Sequence, residues 1–149
     1  MDNIDKYCLV KAECDEETTN RLNKLLGDMN IGITLRHHFH CTLLYARTYK
    51  NMPTLRRYTV EYKIKEVVKM SDGKAVAAIL DLSSNSGENF SVRNTELLAE
   101  TEGVEDYSYL AHVTLGYQES ELTKHQNSLL AKLVGETLCF YREEAKTIE

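Results

Sequence analysis

Two hexapeptides hold the residues of this sequence best suited to chemistry. His40-Cys41-Thr42-Leu43-Leu44-Tyr45 and His112-Val113-Thr114-Leu115-Gly116-Tyr117 share His, Thr, Leu and Tyr at the same four of six positions, 72 residues apart. Imidazole titrates near neutrality, so two of them can supply one neutral base and one protonated acid at pH 7. A threonine hydroxyl two residues on is a fixed donor for an oxygen on which charge develops. The candidate catalytic residues are therefore His40, Thr42, His112 and Thr114. Which histidine is base and which acid is not written in the sequence.

Other chemistries are poorly signalled. There is no H-E-x-x-H, no Asp/Asn-rich loop, no Walker A and no G-x-G-x-x-G, so neither a metal nor a cofactor is expected. His37 and His38 extend a His-rich tract that has a metal reading, against the plainer one of exposed residues at a strand start. His125 is expected on the flank of a helix. Cys8, Cys14, Cys41 and Cys139 form no C-x-x-C pair and read as reduced, mostly buried thiols.

Strands and helices must position the two motifs. Lys6–Ala12 reads as a strand, and Asp15 as the N-cap of a helix over 16–29 with Leu22, Leu25, Leu26 and Met29 on one face. A strand over 38–46 carries the first motif. Arg57 to Met70 alternates apolar and polar residues, and Asp72-Gly73 turns it into a buried strand over 75–81. A helix over 88–101, ended by Gly103, precedes a strand over 109–117 with the second motif. A helix over 120–134, closed by Gly135, leads to a last strand over 137–143. The order is that of an α+β or α/β fold with sheets faced by helices. Strict alternation would put His40, Thr42 and Leu44 on one face and Cys41, Leu43 and Tyr45 on the other. In the second copy it groups His112, Thr114 and Gly116, with Gly116 leaving room for a ligand, against Val113, Leu115 and Tyr117.

Composition bounds the rest. The 149 residues are the length of a single domain, 1–149, with 42% hydrophobic and 28% charged residues but only 7 Gly and 1 Pro, so no linker is expected. The longest apolar run, Ala75–Leu80, is six residues, and the first residues lack the features of a signal peptide. A cytoplasmic protein without membrane contact is the expectation. A net charge of −5 argues against binding duplex nucleic acid, but not against a small nucleotide held by two or three donors. Oligomeric state is not legible.

The paired motifs resemble the 2H phosphoesterase superfamily, whose signature is two His-x-Thr/Ser motifs followed by hydrophobic residues. The resemblance spans almost the whole chain. It implies a bilobal α+β fold, two sheets flanked by helices, with the motifs facing each other across a central cleft. It also implies metal-independent cleavage of ribose phosphodiesters, with two histidines as base and acid and two threonines stabilising the phosphate. The small size and lack of inserted loops are most similar to the phage anti-CBASS phosphodiesterases, which implies cleavage of 3′-5′ linkages in cyclic di- or trinucleotide immune signals within the host cytoplasm. RNA 2′,3′-cyclic phosphodiesterases and 2′-5′ oligonucleotide-processing enzymes of the same superfamily are the alternative, with Arg36, Arg47, Lys50, Arg56 and Arg57 as the basic residues available. A non-catalytic nucleotide-binding module is a second alternative, against which the intact His and Thr of both motifs count. Some relatives surround the bases with Trp, which this chain lacks. Base contacts would then fall to tyrosines, with Tyr7, Tyr109 and Tyr141 as the candidates.

Overall fold

Strand β1 (Tyr7–Cys14) buries every second residue, Cys8, Val10, Ala12 and Cys14. Asp15 then accepts a hydrogen bond from the Thr18 amide at 2.8 Å and starts helix α1 (Glu16–Met29), with Glu16 and Glu17 at its positive end. The computed structural model describes residues 7–70, 73–85 and 87–148; Lys6 and Asp72, expected in a strand and a turn, lie outside them. The remaining elements are β2 (Thr34–Leu35), β3 (His40–Ala46), β4 (Arg57–Lys69), β5 (Ala75–Asp81), α2 (Phe90–Thr101), β6 (His112–Tyr117), α3 (Lys124–Leu130) and β7 (Thr137–Ile148). Helix α3 starts later than its apolar pattern suggests because a Thr123–Gln126 capping box begins it at Lys124. Helix α2 ends at Glu102 in the left-handed conformation, one residue before the expected Gly103.

The strands form one sheet rather than the two expected. The order β2-β6-β3-β1-β7-β4-β5 is closed by a further pairing of β5 with β6, and every pairing is antiparallel. Six strands, β6-β3-β1-β7-β4-β5, therefore make a ring. Its outer face carries the apolar residues that pack under Leu22 and Leu26 of α1 and Phe90 and Leu97 of α2. Its inner face carries the polar residues of the motifs.

A matched irregularity decides what faces inward. Val10 lies opposite Leu44, yet Lys11 lies opposite Thr42, so β3 has one extra residue at Leu43. Val76 lies opposite Gly116, yet Ala77 lies opposite Thr114, so β6 has one extra residue at Leu115. These are β-bulges at the same place in both motifs, and each inverts the alternation after it. His, Thr and Tyr of each copy consequently share the inner face. Tyr45 and Tyr117, expected among the apolar set, are 45% and 39% exposed, while Leu44 turns into the core.

Gly116 is also displaced from its expected role. A Cβ there would overlap the carbonyl oxygen of Thr34 and press on Ile33 Cδ1 at 3.0 Å. Its missing side chain admits the backbone of β2, which pairs Leu35 with Gly116 and Thr34 with Tyr117. It does not make space for a ligand.

The last strand runs on to Ile148, beyond the expected end at Glu143, because residues 144–148 pair with β1, from Lys11 opposite Glu144 to Tyr7 opposite Ile148. Glu143 itself is buried. Its carboxylate accepts hydrogen bonds at 2.8 Å from both Nε and Nη2 of Arg93, with Tyr58 and the Arg56 amide completing the shell. Breaking such a buried pair by removing one partner costs about 3–5 kcal/mol. The pair ties α2 to β7 beside the Tyr62–Phe90–Phe140 cluster, whose rings meet edge to face at 4.8 and 5.1 Å.

Glycine substitutions test the packing of β2. Gly116→Ala is expected to destabilise the fold by about 1–3 kcal/mol, as overpacking does. Gly27→Ala, in α1 where nothing lies within 4 Å of an added Cβ, should stabilise it by about 0.5–1 kcal/mol. Urea unfolding of the two variants reads both signs; a neutral Gly116→Ala would contradict the close β2–β6 approach.

Candidate active site

The two motif strands meet at one residue pair. Cys41 of β3 lies opposite Val113 of β6 in antiparallel register, both fully buried. One step either side of that pair places Thr42 beside His112, and His40 beside Thr114. The pairing thus acts as a local two-fold axis that brings both imidazoles and both hydroxyls onto one patch of the inner face. All four residues are half-buried: Cys41 and Val113 fix them from below, and the cleft is open above.

The histidines have distinct surroundings. Burial depresses the pKa of His40 from 6.5 to about 4, helped by the positive charges of Lys11 and Arg36 and by His112, with Glu13 opposing. The strand register explains two of these neighbours, since Glu13 lies opposite His40 and Lys11 opposite Thr42. His40 is therefore neutral at pH 7. His112 Nδ1 lies 2.8 Å from the carbonyl oxygen of Leu110. A carbonyl only accepts, so Nδ1 bears the proton and donates it, which leaves Nε2 as the nitrogen available to a ligand.

Beside the Thr42/His112 end lies a cavity of about 530 Å3, walled by Tyr45, Met70, Tyr107 and Leu110 as well as by Thr42 and His112 themselves. Tyr7 stacks parallel on Tyr45, with ring centroids 5.4 Å apart and an interplanar angle of 6°. Of the three tyrosines expected to contact bases, Tyr7 thus backs the cavity wall. Tyr109 is packed against the core, and its hydroxyl donates to the Thr42 carbonyl at 2.8 Å, so it braces the first motif from behind. Tyr141 stands apart, in a second cavity of about 420 Å3 with Glu13, His38 and Phe39, its ring under the guanidinium of Arg142.

Some contributors escaped the sequence reading. The bulge at Leu43 is met by side chains: Asn94 Nδ2 donates to the Leu43 carbonyl at 2.7 Å and to Glu105 at 3.0 Å, and Glu105 accepts from the Tyr45 amide at 2.9 Å. Glu105 also accepts from the Tyr107 hydroxyl at 3.3 Å, so one carboxylate holds both tyrosines of the cavity. Across the axis, the Arg36 amide donates to the Leu115 carbonyl at 2.9 Å and meets the second bulge. Only the repetition of Tyr as the fourth shared motif residue pointed this way. His37 and His38 are exposed, and no three His, Cys, Asp or Glu side chains converge among the described residues. No helix among them is long and apolar enough to cross a membrane.

Comparison with known proteins agrees with this architecture. The family described as anti-CBASS protein Acb1 matches residues 6–145. No curated protein matches the sequence. Among solved structures, Usb1 of Kluyveromyces marxianus superposes with a TM-score of 0.50, covering 95% of this chain and 96% of that one at 13% identity. At that identity the likeness is one of fold.

The environment of His40 leaves a signature in stability. Between the unfolded value of 6.5 and the folded value of about 4, the unfolded chain binds the proton that the folded chain refuses. Stability therefore falls as pH drops through that window. His40→Asn, which cannot titrate, should lose less stability than the parent between those limits, as read by urea unfolding at a series of pH values. Parallel pH profiles for the two proteins would contradict a neutral, desolvated His40.

Proposed function

The chain belongs to the anti-CBASS protein Acb1 family, and on that footing we propose that it is a metal-independent phosphodiesterase opening 3′-5′ linkages of cyclic di- or trinucleotides. The observation that carries this reading is the Cys41–Val113 pairing, which sets two His-x-Thr dyads head to tail on one surface. A phosphodiester centred there meets one imidazole and one hydroxyl from each strand. The site of action that follows for an anti-CBASS protein is the cytoplasm of the infected host.

The chemistry follows from the surroundings of each group. His40, held neutral, accepts the proton of the ribose 2′-OH as its oxygen attacks phosphorus. His112, protonated, gives a proton from Nε2 to the departing 5′-oxygen as the P–O bond breaks. The product carries a 2′,3′-cyclic phosphate and a free 5′-hydroxyl, so no atom enters from solvent in this step. Nucleophile and phosphate belong to one nucleotide, and orientation removes much of the entropic barrier. Thr42 and Thr114 aim hydroxyls at the non-bridging oxygens, where charge builds. Lys11, opposite Thr42, adds a positive charge beside the same phosphate. That phosphate in turn offsets the charges that depress His40, so the base strengthens when substrate is bound.

The cavity beside His112 suits one nucleobase. Its walls are aromatic and apolar, and stacking on a tyrosine contributes about 1–3 kcal/mol. A base there lies against Tyr45, which Tyr7 supports from behind.

Turnover of a 3′-5′ cyclic dinucleotide in EDTA-containing buffer tests the proposal. His40→Ala and His112→Ala should each lower kcat by roughly 10²–10⁴-fold, and Thr42→Val or Thr114→Val by about 10²-fold or more. Near wild-type turnover by a folded His112→Ala protein, or loss of all activity on chelation, would overturn it.

A further inference from the structure

The two ends of the motif pair differ outside their shared residues. At the Thr42/His112 end, Tyr45 sits in an apolar cavity. At the His40/Thr114 end, the symmetry-related Tyr117 instead accepts a hydrogen bond from Arg36 Nη1 at 2.9 Å. Arg36 is held twice, because its amide also donates to the carbonyl of the bulged Leu115. Arg47, Arg56, Arg93 and Arg142 each pair with a carboxylate, whereas Arg36 meets none among the described residues. A half-buried guanidinium bound to a phenol keeps most of its donors unused, and its charge is felt at His40. A fixed fork of N–H donors of this kind matches the oxygens of a phosphate.

Position separates this group from the reacting phosphate. Tyr117 is the next inward-facing residue after Thr114 along β6, a step of about 7 Å at the usual strand rise. We propose that Arg36 binds the second, non-scissile phosphodiester of a cyclic oligonucleotide, and so selects substrates with two or more phosphates in one ring. The proposal rests on the phosphodiesterase reading and names a specificity-determining residue for it. A substrate with one phosphate fills the histidine site and the base cavity and leaves Arg36 idle. The apolar end thus receives a base and the cationic end a phosphate.

The test compares wild type, Arg36→Gln and Arg36→Lys on two ribose substrates, a 3′-5′ cyclic dinucleotide and a linear 3′-5′ dinucleoside monophosphate. Loss of a charged hydrogen-bonding group should lower kcat/KM on the cyclic substrate by about tenfold to hundredfold, mainly through KM. Arg36→Lys should lose less. Any change that the lost charge makes at His40 is common to both substrates, so the ratio of cyclic to linear kcat/KM should fall by about tenfold or more in Arg36→Gln. Calorimetric binding of the 2′-deoxy forms of both compounds reads the same selectivity without turnover. Equal losses on both substrates, or no loss on either, overturn the assignment of Arg36. If wild type binds both compounds and cleaves neither, the enzymatic reading fails, and the binding ratio alone then upholds or overturns the role of Arg36.

Discussion

The backbone pairing of Cys41 with Val113 is the contact on which the site depends. Two strands far apart in the chain become neighbours there, and their antiparallel sense makes each histidine adjacent to the other strand's threonine. That contact persists because the sheet closes around it. β6 is held on its other side by β5, and β3 by β1, so the motif strands lie within a ring of six. Closure satisfies their ladder hydrogen bonds and removes open edges there. It also fixes the apolar face outward under α1 and α2, which leaves the inner face for polar side chains.

Much of this was legible in the residues. The repeated His-x-Thr-Leu-x-Tyr pattern identified both motif strands, and Asp15 marked the start of α1. The register between distant strands was not legible, because nothing local distinguishes a ring from two separate sheets. The bulges escaped for a related reason. Leu43 and Leu115 look like ordinary core residues, and only their cross-strand partners show the extra residue. That one step reverses the faces of Leu44, Tyr45, Gly116 and Tyr117. The extent of the last strand was not legible either, since residues 144–148 join it through pairing with β1, and the Arg93 of α2 that meets Glu143 is 50 residues away in sequence.

The electrostatics follow from the same geometry. His40 stands where β1 and the segment after β2 bring Lys11 and Arg36 toward it, and so it resists protonation. His112 is anchored through Nδ1 by the loop that precedes β6, the loop that Glu105 ties back to the first motif. A two-fold arrangement of backbone therefore carries two unlike imidazoles. One is desolvated and held neutral, and the other is fixed through Nδ1 with its Nε2 left available.

The central claim is that both dyads act on one phosphate attacked by its own ribose. The most direct measurement sets the turnover of a 3′-5′ cyclic dinucleotide beside that of its 2′-deoxy counterpart, with the phosphorus products followed by 31P NMR. The account predicts a 2′,3′-cyclic phosphate from the ribose compound, and binding without cleavage for the deoxy one. Comparable cleavage of both compounds would make water the nucleophile and contradict it.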